Sequence, residues 1–177
     1  MPNDKKKYVV TSIVLASIGA VSGGLIALAN LATAAKIEQN TIDKTNRGLA
    51  EIFADSTFKE IKDERIANPI VTYYEALKGE QRQGYVFYTA GSNMYGNISM
   101  LVGLVYNSSI SEYESKSISL INNTQTYATE VVENYVVPFN NGENPNVKCG
   151  ATYAAKLIKS MMDEAVNFAN TNLKEGN

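Results

Sequence analysis

From Tyr8 to Ala35 the chain carries no charged residue, and Lys5, Lys6 and Lys7 stand directly before this stretch. Roughly 20 apolar residues span a bilayer core, so the stretch is long enough to cross one even when tilted. The basic flank predicts an N-terminus in the cytoplasm and places residues from about Lys36 onward outside. Ala16, Ala20 and Gly24 form a stripe of small residues with Gly19 and Gly23 beside it, a spacing that lets membrane helices pack closely. A basic start, an apolar run and the small residues Ala32-Thr33-Ala34 also fit a cleaved signal peptide. The length of the run and the stripe favour a retained single-pass anchor in the cell membrane. Both readings export the rest of the chain.

Beyond the anchor, Ile37, Ile42, Thr45, Leu49, Ile52 and Phe53 recur at three- and four-residue intervals and predict an amphipathic helix. Asn68-Pro69 interrupts the chain, and residues 70–77 are ambiguous. The period then changes. Gly84-Tyr85-Val86-Phe87-Tyr88 reads as a strand and Gly91 to Gly96 as a turn. Ile98, Met100, Val102, Leu104 and Tyr106 alternate with Ser99, Leu101, Gly103 and Val105, a strand with one buried face. A turn at Asn107-Ser108-Ser109 leads to a partner strand over residues 110–121. A mixed apolar piece from Val131 to Phe139 ends at Pro138, and a loop of Asn, Gly and Pro comes next. Leu157, Ile158, Met161, Met162, Ala165, Val166 and Ala169 predict a terminal amphipathic helix.

This pattern predicts an α+β chain: one N-terminal transmembrane helix, then an exported domain with an antiparallel sheet and flanking helices. The expected divisions are a basic N-terminus (1–7), a membrane helix (8–35), a linking helical segment (36–69) and the α+β domain (70–177).

Composition narrows the chemistry. The 177 residues contain no histidine and one cysteine, Cys149. That rules out Ser-His-Asp and Cys-His catalysis, an intrachain disulfide, and zinc, haem or iron–sulfur sites built on His or Cys. A net charge of -2 gives no footprint for nucleic acid. The carboxylates form no pair at recognisable catalytic spacing. Redox chemistry here would need an organic cofactor.

The informative stretch is Asn146-Val147-Lys148-Cys149-Gly150-Ala151-Thr152, where a loop meets the last helix. The first turn of a helix presents unpaired N–H groups and a dipole that favour an anion. Gly150 and Ala151 leave room for close approach, so a phosphate on the Thr152 hydroxyl would be well seated. The plainer alternative makes Thr152 an N-cap.

In the order of its elements and in this motif, the chain resembles the FMN-binding subunits of membrane redox complexes. These are the G subunit of Rnf-type complexes and the C subunit of the sodium-pumping NADH:quinone oxidoreductase. The resemblance implies FMN held through a phosphoester to Thr152, with Ala151, Gly150, Cys149 and Lys148 forming the attachment motif. It also implies a flavin transferase that makes the bond from FAD and releases AMP. Other membrane subunits would be partners, and relay of electrons in an ion-translocating complex would be the activity. Tyr95 and Gly96 match a turn of the family, Thr124 is retained from a family segment at the site, and Tyr127 or Tyr95 is the expected contact to the ring. Cys149 stands where the family usually has Ser or Thr, and Asn146 where it tends to have Asp. Asn123-Thr124-Gln125-Thr126-Tyr127-Ala128 replaces a Glu-Thr-Pro-Gly-Leu-Gly segment. The rival readings are an anchored, exported binding module without cofactor and a flavinylated carrier that works alone.

Overall fold

The computed structural model describes residues 2–145 and 151–173. The chain forms two compact units, Met1–Asp43 and Lys44–Asn177. Helix α1 (Pro2–Ile52) makes up the described part of the first and continues into the second. It is long and apolar enough to cross a membrane. In its apolar stretch Thr11, Ser17 and Thr33 donate their hydroxyls to the carbonyls of Lys7, Ile13 and Ala29 at 2.7–2.9 Å. Each hydroxyl therefore satisfies its donor within the helix, which a low-dielectric setting demands.

The second unit is an antiparallel sheet of five strands in sequence order. These are β1 (Thr57–Ile61), β2 (Ile70–Lys78), β3 (Gln81–Asn93), β4 (Gly96–Asn107) and β5 (Glu112–Asn123). The linking segment is thus helical only to Ile52. Past Phe53 it becomes an edge strand in which Phe58 and Ile61 are the partly buried apolar residues. Ile37 and Ile42 remain exposed at 60% and 46%, so the amphipathic stripe begins to bury only at Leu49. The ambiguous residues 70–77 are strand. Gly91 to Asn93 extend β3, leaving Met94-Tyr95 as a two-residue hairpin tip between paired Asn93 and Gly96.

Helix α4 (Thr152–Asn172) covers one face of the sheet. Its Ile158, Met161, Met162, Ala165 and Ala169 pack with Phe87, Met100, Val102, Leu104 and Ile118. The opposite face carries a second cluster, Leu49, Val86, Leu101 and Ile121, in which the end of α1 takes part through Leu49 and Ile52, joined by Phe53 just past it. β4 therefore buries both faces, not one. Leu101 is as enclosed as its neighbours Met100 and Val102, because α1 closes over the side that alternation alone assigns to solvent.

A helical segment also runs through Pro138 instead of stopping there. It comprises α2 (Ala128–Val131), a π-helical turn (Val132–Val136) and α3 (Val137–Asn140). Pro138 lies in the first turn of α3, where its missing N–H is tolerated, and the wider π turn comes just before it. Asn140 ends the segment and pairs with Ile118, receiving its N–H and donating to its carbonyl at 2.8 Å each. Asn170 does the same to Tyr113 at 2.6 and 3.2 Å. Two side-chain amides thereby stand in for a neighbouring strand along the outer edge of β5.

Candidate functional site

The first turn of α4 and the β3–β4 hairpin tip meet at the front of the domain. Ala151, 2% exposed, occupies the N-cap of α4, and its carbonyl receives the N–H of Ala155 at 3.0 Å. Thr152 is the next residue, half-buried, in the first turn. The N-cap role considered for Thr152 therefore belongs to Ala151, which has no side-chain oxygen to fill it. Thr152 stands at the positive end of a 21-residue helix. Lys156, exposed, comes one turn later on the same side. Lys148, Cys149 and Gly150, with Asn146, lie outside the described residues.

Tyr153 was not expected to contribute. Its ring lies 5.1 Å from that of Tyr95, tilted by 38°, an offset aromatic pair. Asn93, also unanticipated, holds both partners. Its Nδ2 donates to the Tyr153 carbonyl at 3.3 Å and its Oδ1 accepts the N–H of Tyr95 at 2.8 Å. The turn-forming order Asn-Met-Tyr-Gly was the local signal for it. The tip is exposed, with Met94 at 83%, Tyr95 at 37% and Tyr153 at 54%.

Gly96 has φ of +138°, and a Cβ there would run into the carbonyl of Thr124. This close approach clasps the hairpin to the end of β5. Asn97 donates its N–H to Thr124 Oγ1 at 2.8 Å, and Thr124 returns its N–H and hydroxyl to the Asn97 carbonyl at 2.9 and 3.3 Å. Thr124 therefore fastens the turn. Gln125, which the sequence did not single out, adds a bond from Nε2 to the Gly96 carbonyl at 2.5 Å. It is 5% exposed, and its Oε1 is buried without a hydrogen-bond partner. Tyr127, 45% exposed, is the N-cap of α2 and lies outside the Tyr95–Tyr153 pair.

The structure thus brings together Ala151, Thr152, Tyr153, Asn93, Tyr95, Gly96, Thr124 and Gln125 from three parts of the chain. A cleft of about 640 Å³ borders the same elements. Gly91, Ser92 and Asn97 line it from the hairpin, and Leu157, Ser160 and Met161 from α4. It lies one turn further along α4, and Thr152, Tyr95 and Gly96 do not line it.

These residues could hold an organic phosphate ester with a flat ring. The helix start suits a phosphate, the exposed tyrosine pair offers aromatic surface, and Gln125, bonded to Gly96 on the same turn, carries an unpartnered buried acceptor. Among the described residues no cluster of His, Cys, Asp and Glu is arranged to hold a metal. A scan against models of known protein families matches none, and no curated protein matches the chain.

Proposed function

We propose that the protein is a membrane-anchored carrier of FMN, esterified through its phosphate to Thr152 and serving electron relay outside the cytoplasm. The observation that carries this reading is convergence. The Thr152 hydroxyl at the positive end of α4 adjoins an exposed tyrosine pair, whose Tyr95 sits on a turn fastened by Gly96, Thr124 and Gln125. When bound, FMN supplies redox chemistry that the side chains of this chain lack.

The residues have separable tasks. Thr152 Oγ1 holds the phosphate, and the helix start and Lys156 offset its charge. Tyr95 and Tyr153 would lie against one side of the ring and keep water from it. Asn93 fixes the spacing between the hairpin and α4. Helix α1 supplies the anchor, and its basic N-terminal flank argues for a cytoplasmic start and an exported second unit. A covalent link suits that location, where a freely dissociating cofactor would be lost. Other membrane subunits would deliver and remove the electrons, and a flavin transferase would make the ester.

Co-expression with a flavin transferase tests the reading. The denatured protein should show a fluorescent band under ultraviolet light, the Thr152→Ala variant a dark one, and mass analysis should place one FMN on Thr152. A dark wild-type band, with bare Thr152 in protein from its native host, would overturn it.

A further inference from the structure

Within the candidate site one atom is unaccounted for. Gln125 Oε1 is the buried side-chain oxygen or nitrogen left without a hydrogen-bond partner among the described residues, and its residue is 5% exposed. An acceptor stripped of water and given no donor is costly and uncommon. The other end of the same amide is well used, since Nε2 donates to the Gly96 carbonyl. The amide is therefore oriented by its neighbours, with the oxygen directed away from the carbonyl that pins it. Rotating the group would set two oxygens against each other. Nε2 carries two protons and Gly96 takes one, so the amide presents an acceptor next to a donor. That pattern complements a cyclic imide, whose ring N–H lies beside a ring carbonyl.

We propose that Gln125 reads the imide edge of the flavin ring, with Oε1 accepting the hydrogen bond of the ring N–H. This rests on the flavin reading of the site, and adds the residue that selects the ring. Oε1 is closed to solvent, so binding the ring requires a neighbouring group to move, and the Met94-Tyr95 tip next to Gly96 is the group that moves. That tip is the most exposed part of the site and two residues long, which keeps the movement local. Selection arises from the same physics that makes the orphan costly. A ring lacking the N–H leaves Oε1 unpaired and places a substituent against it.

The test uses the full chain in detergent, purified without flavin transferase, and two probes: lumiflavin, which has the ring but no phosphate, and its N3-methyl derivative. Binding is read by fluorescence titration. Wild type should favour lumiflavin by about tenfold, the size of one net hydrogen bond between neutral groups. Gln125→Leu should bind both probes equally and no tighter than wild type binds the methylated one. Equal binding of both probes by wild type would overturn the proposal, as would no measurable lumiflavin binding or an undiminished preference in Gln125→Leu. The wild-type comparison needs no variant to fold. A fluorescent band that depends on Thr152, together with equal probe binding, would remove Gln125 from the site and leave the carrier reading standing. A dark band would remove the carrier reading itself.

Discussion

The Cγ2 methyl of Ile52 fills the space that a side chain on Gly103 would occupy, so the last turn of α1 closes into a notch in β4. Ser117 Oγ forms the far wall of the notch, 3.1 Å from the same point. One turn earlier Gly48 makes a second close approach, with Leu101 Cδ1 and Ser119 Oγ each 2.9 Å from a Cβ placed there. Small residues thus let a helix lie directly on the sheet.

The two glycines should respond differently to alanine. At Gly103 the obstacle is a β-branched side chain locked in the helix, and Gly103→Ala should cost about 1–3 kcal/mol through overpacking. At Gly48 the obstacles are the ends of side chains that can turn, and alanine gains about 1 kcal/mol in helix propensity. Gly48→Ala should therefore lie within about 1 kcal/mol of wild type, the gain offsetting the crowding. Urea midpoints of the full chain in detergent check both, and equal losses would mean that the notch does not discriminate.

The outer edge of β5 is guarded by two amides, and removing them should have two effects. Asn140→Ala leaves the Ile118 N–H and carbonyl without their partners, and Asn170→Ala does so at Tyr113. Each should cost about 1–3 kcal/mol, the range for two backbone bonds lost at a partly buried site. The double variant should also self-associate with rising concentration, because an open edge is a template for another strand. Light scattering distinguishes that outcome from simple loss of stability.

Acid should weaken the join between the loop before β2 and the end of α4. Asp63 receives the Arg65 side chain at 2.6 and 2.8 Å, the Arg65 N–H at 3.0 Å and the Tyr73 hydroxyl at 3.1 Å. Arg65 reaches on to Asn172 Oδ1 at 3.2 Å. The hydrogen bonds from Arg65 hold the Asp63 carboxyl far below the usual carboxylate range, and burial, with help from Asp63, pushes Tyr73 up to about 12. A depressed carboxyl contributes its full stability above the unfolded value of about 3.9 and loses it as pH falls toward the folded value. Urea midpoints should accordingly fall below about pH 4, and Asp63→Asn should flatten that acid limb while lowering the midpoint at about pH 7. An unchanged limb would show that Asp63 does not govern it.

Legibility in the sequence tracks the strength of each local pattern. Alternation from Ile98 to Leu104 and the three- and four-residue spacing from Leu157 to Ala169 marked β4 and α4, because each buries a regular set of side chains. β1 was hidden since an edge strand needs few apolar residues, and Thr-Phe-Lys-Glu-Ile has two. The second buried face of β4 was hidden because Gly103 and Ser99 look solvent-facing until α1 is placed beside them. At the site, Thr152 stood out by helix-start chemistry, and Tyr95 and Gly96 by the resemblance of their turn to the family's. Gln125 did not, since no local pattern tells a buried glutamine from an exposed one and its partner Gly96 is distant in sequence.

The Tyr95–Tyr153 pair offers a last test, one that separates holding the ring from attaching it. Thr152 makes the proposed ester, so neither tyrosine is needed for the bond itself. Both rings are exposed on one side and contact each other at 5.1 Å, which positions them to touch a flat ring tethered at the adjacent residue. Tyrosine in contact with a flavin quenches its fluorescence by donating an electron to the excited ring, and leucine does not. Tyr95→Leu and Tyr153→Leu should therefore keep the flavin-to-protein ratio of wild type while the fluorescence yield per flavin rises several-fold in the folded protein. The difference should vanish on denaturation, where every variant carries the same free-moving ring. A folded yield that stays at the wild-type level in both variants would place the ring elsewhere, with the 640 Å³ cleft beside Gly91 and Met161 as the alternative seat.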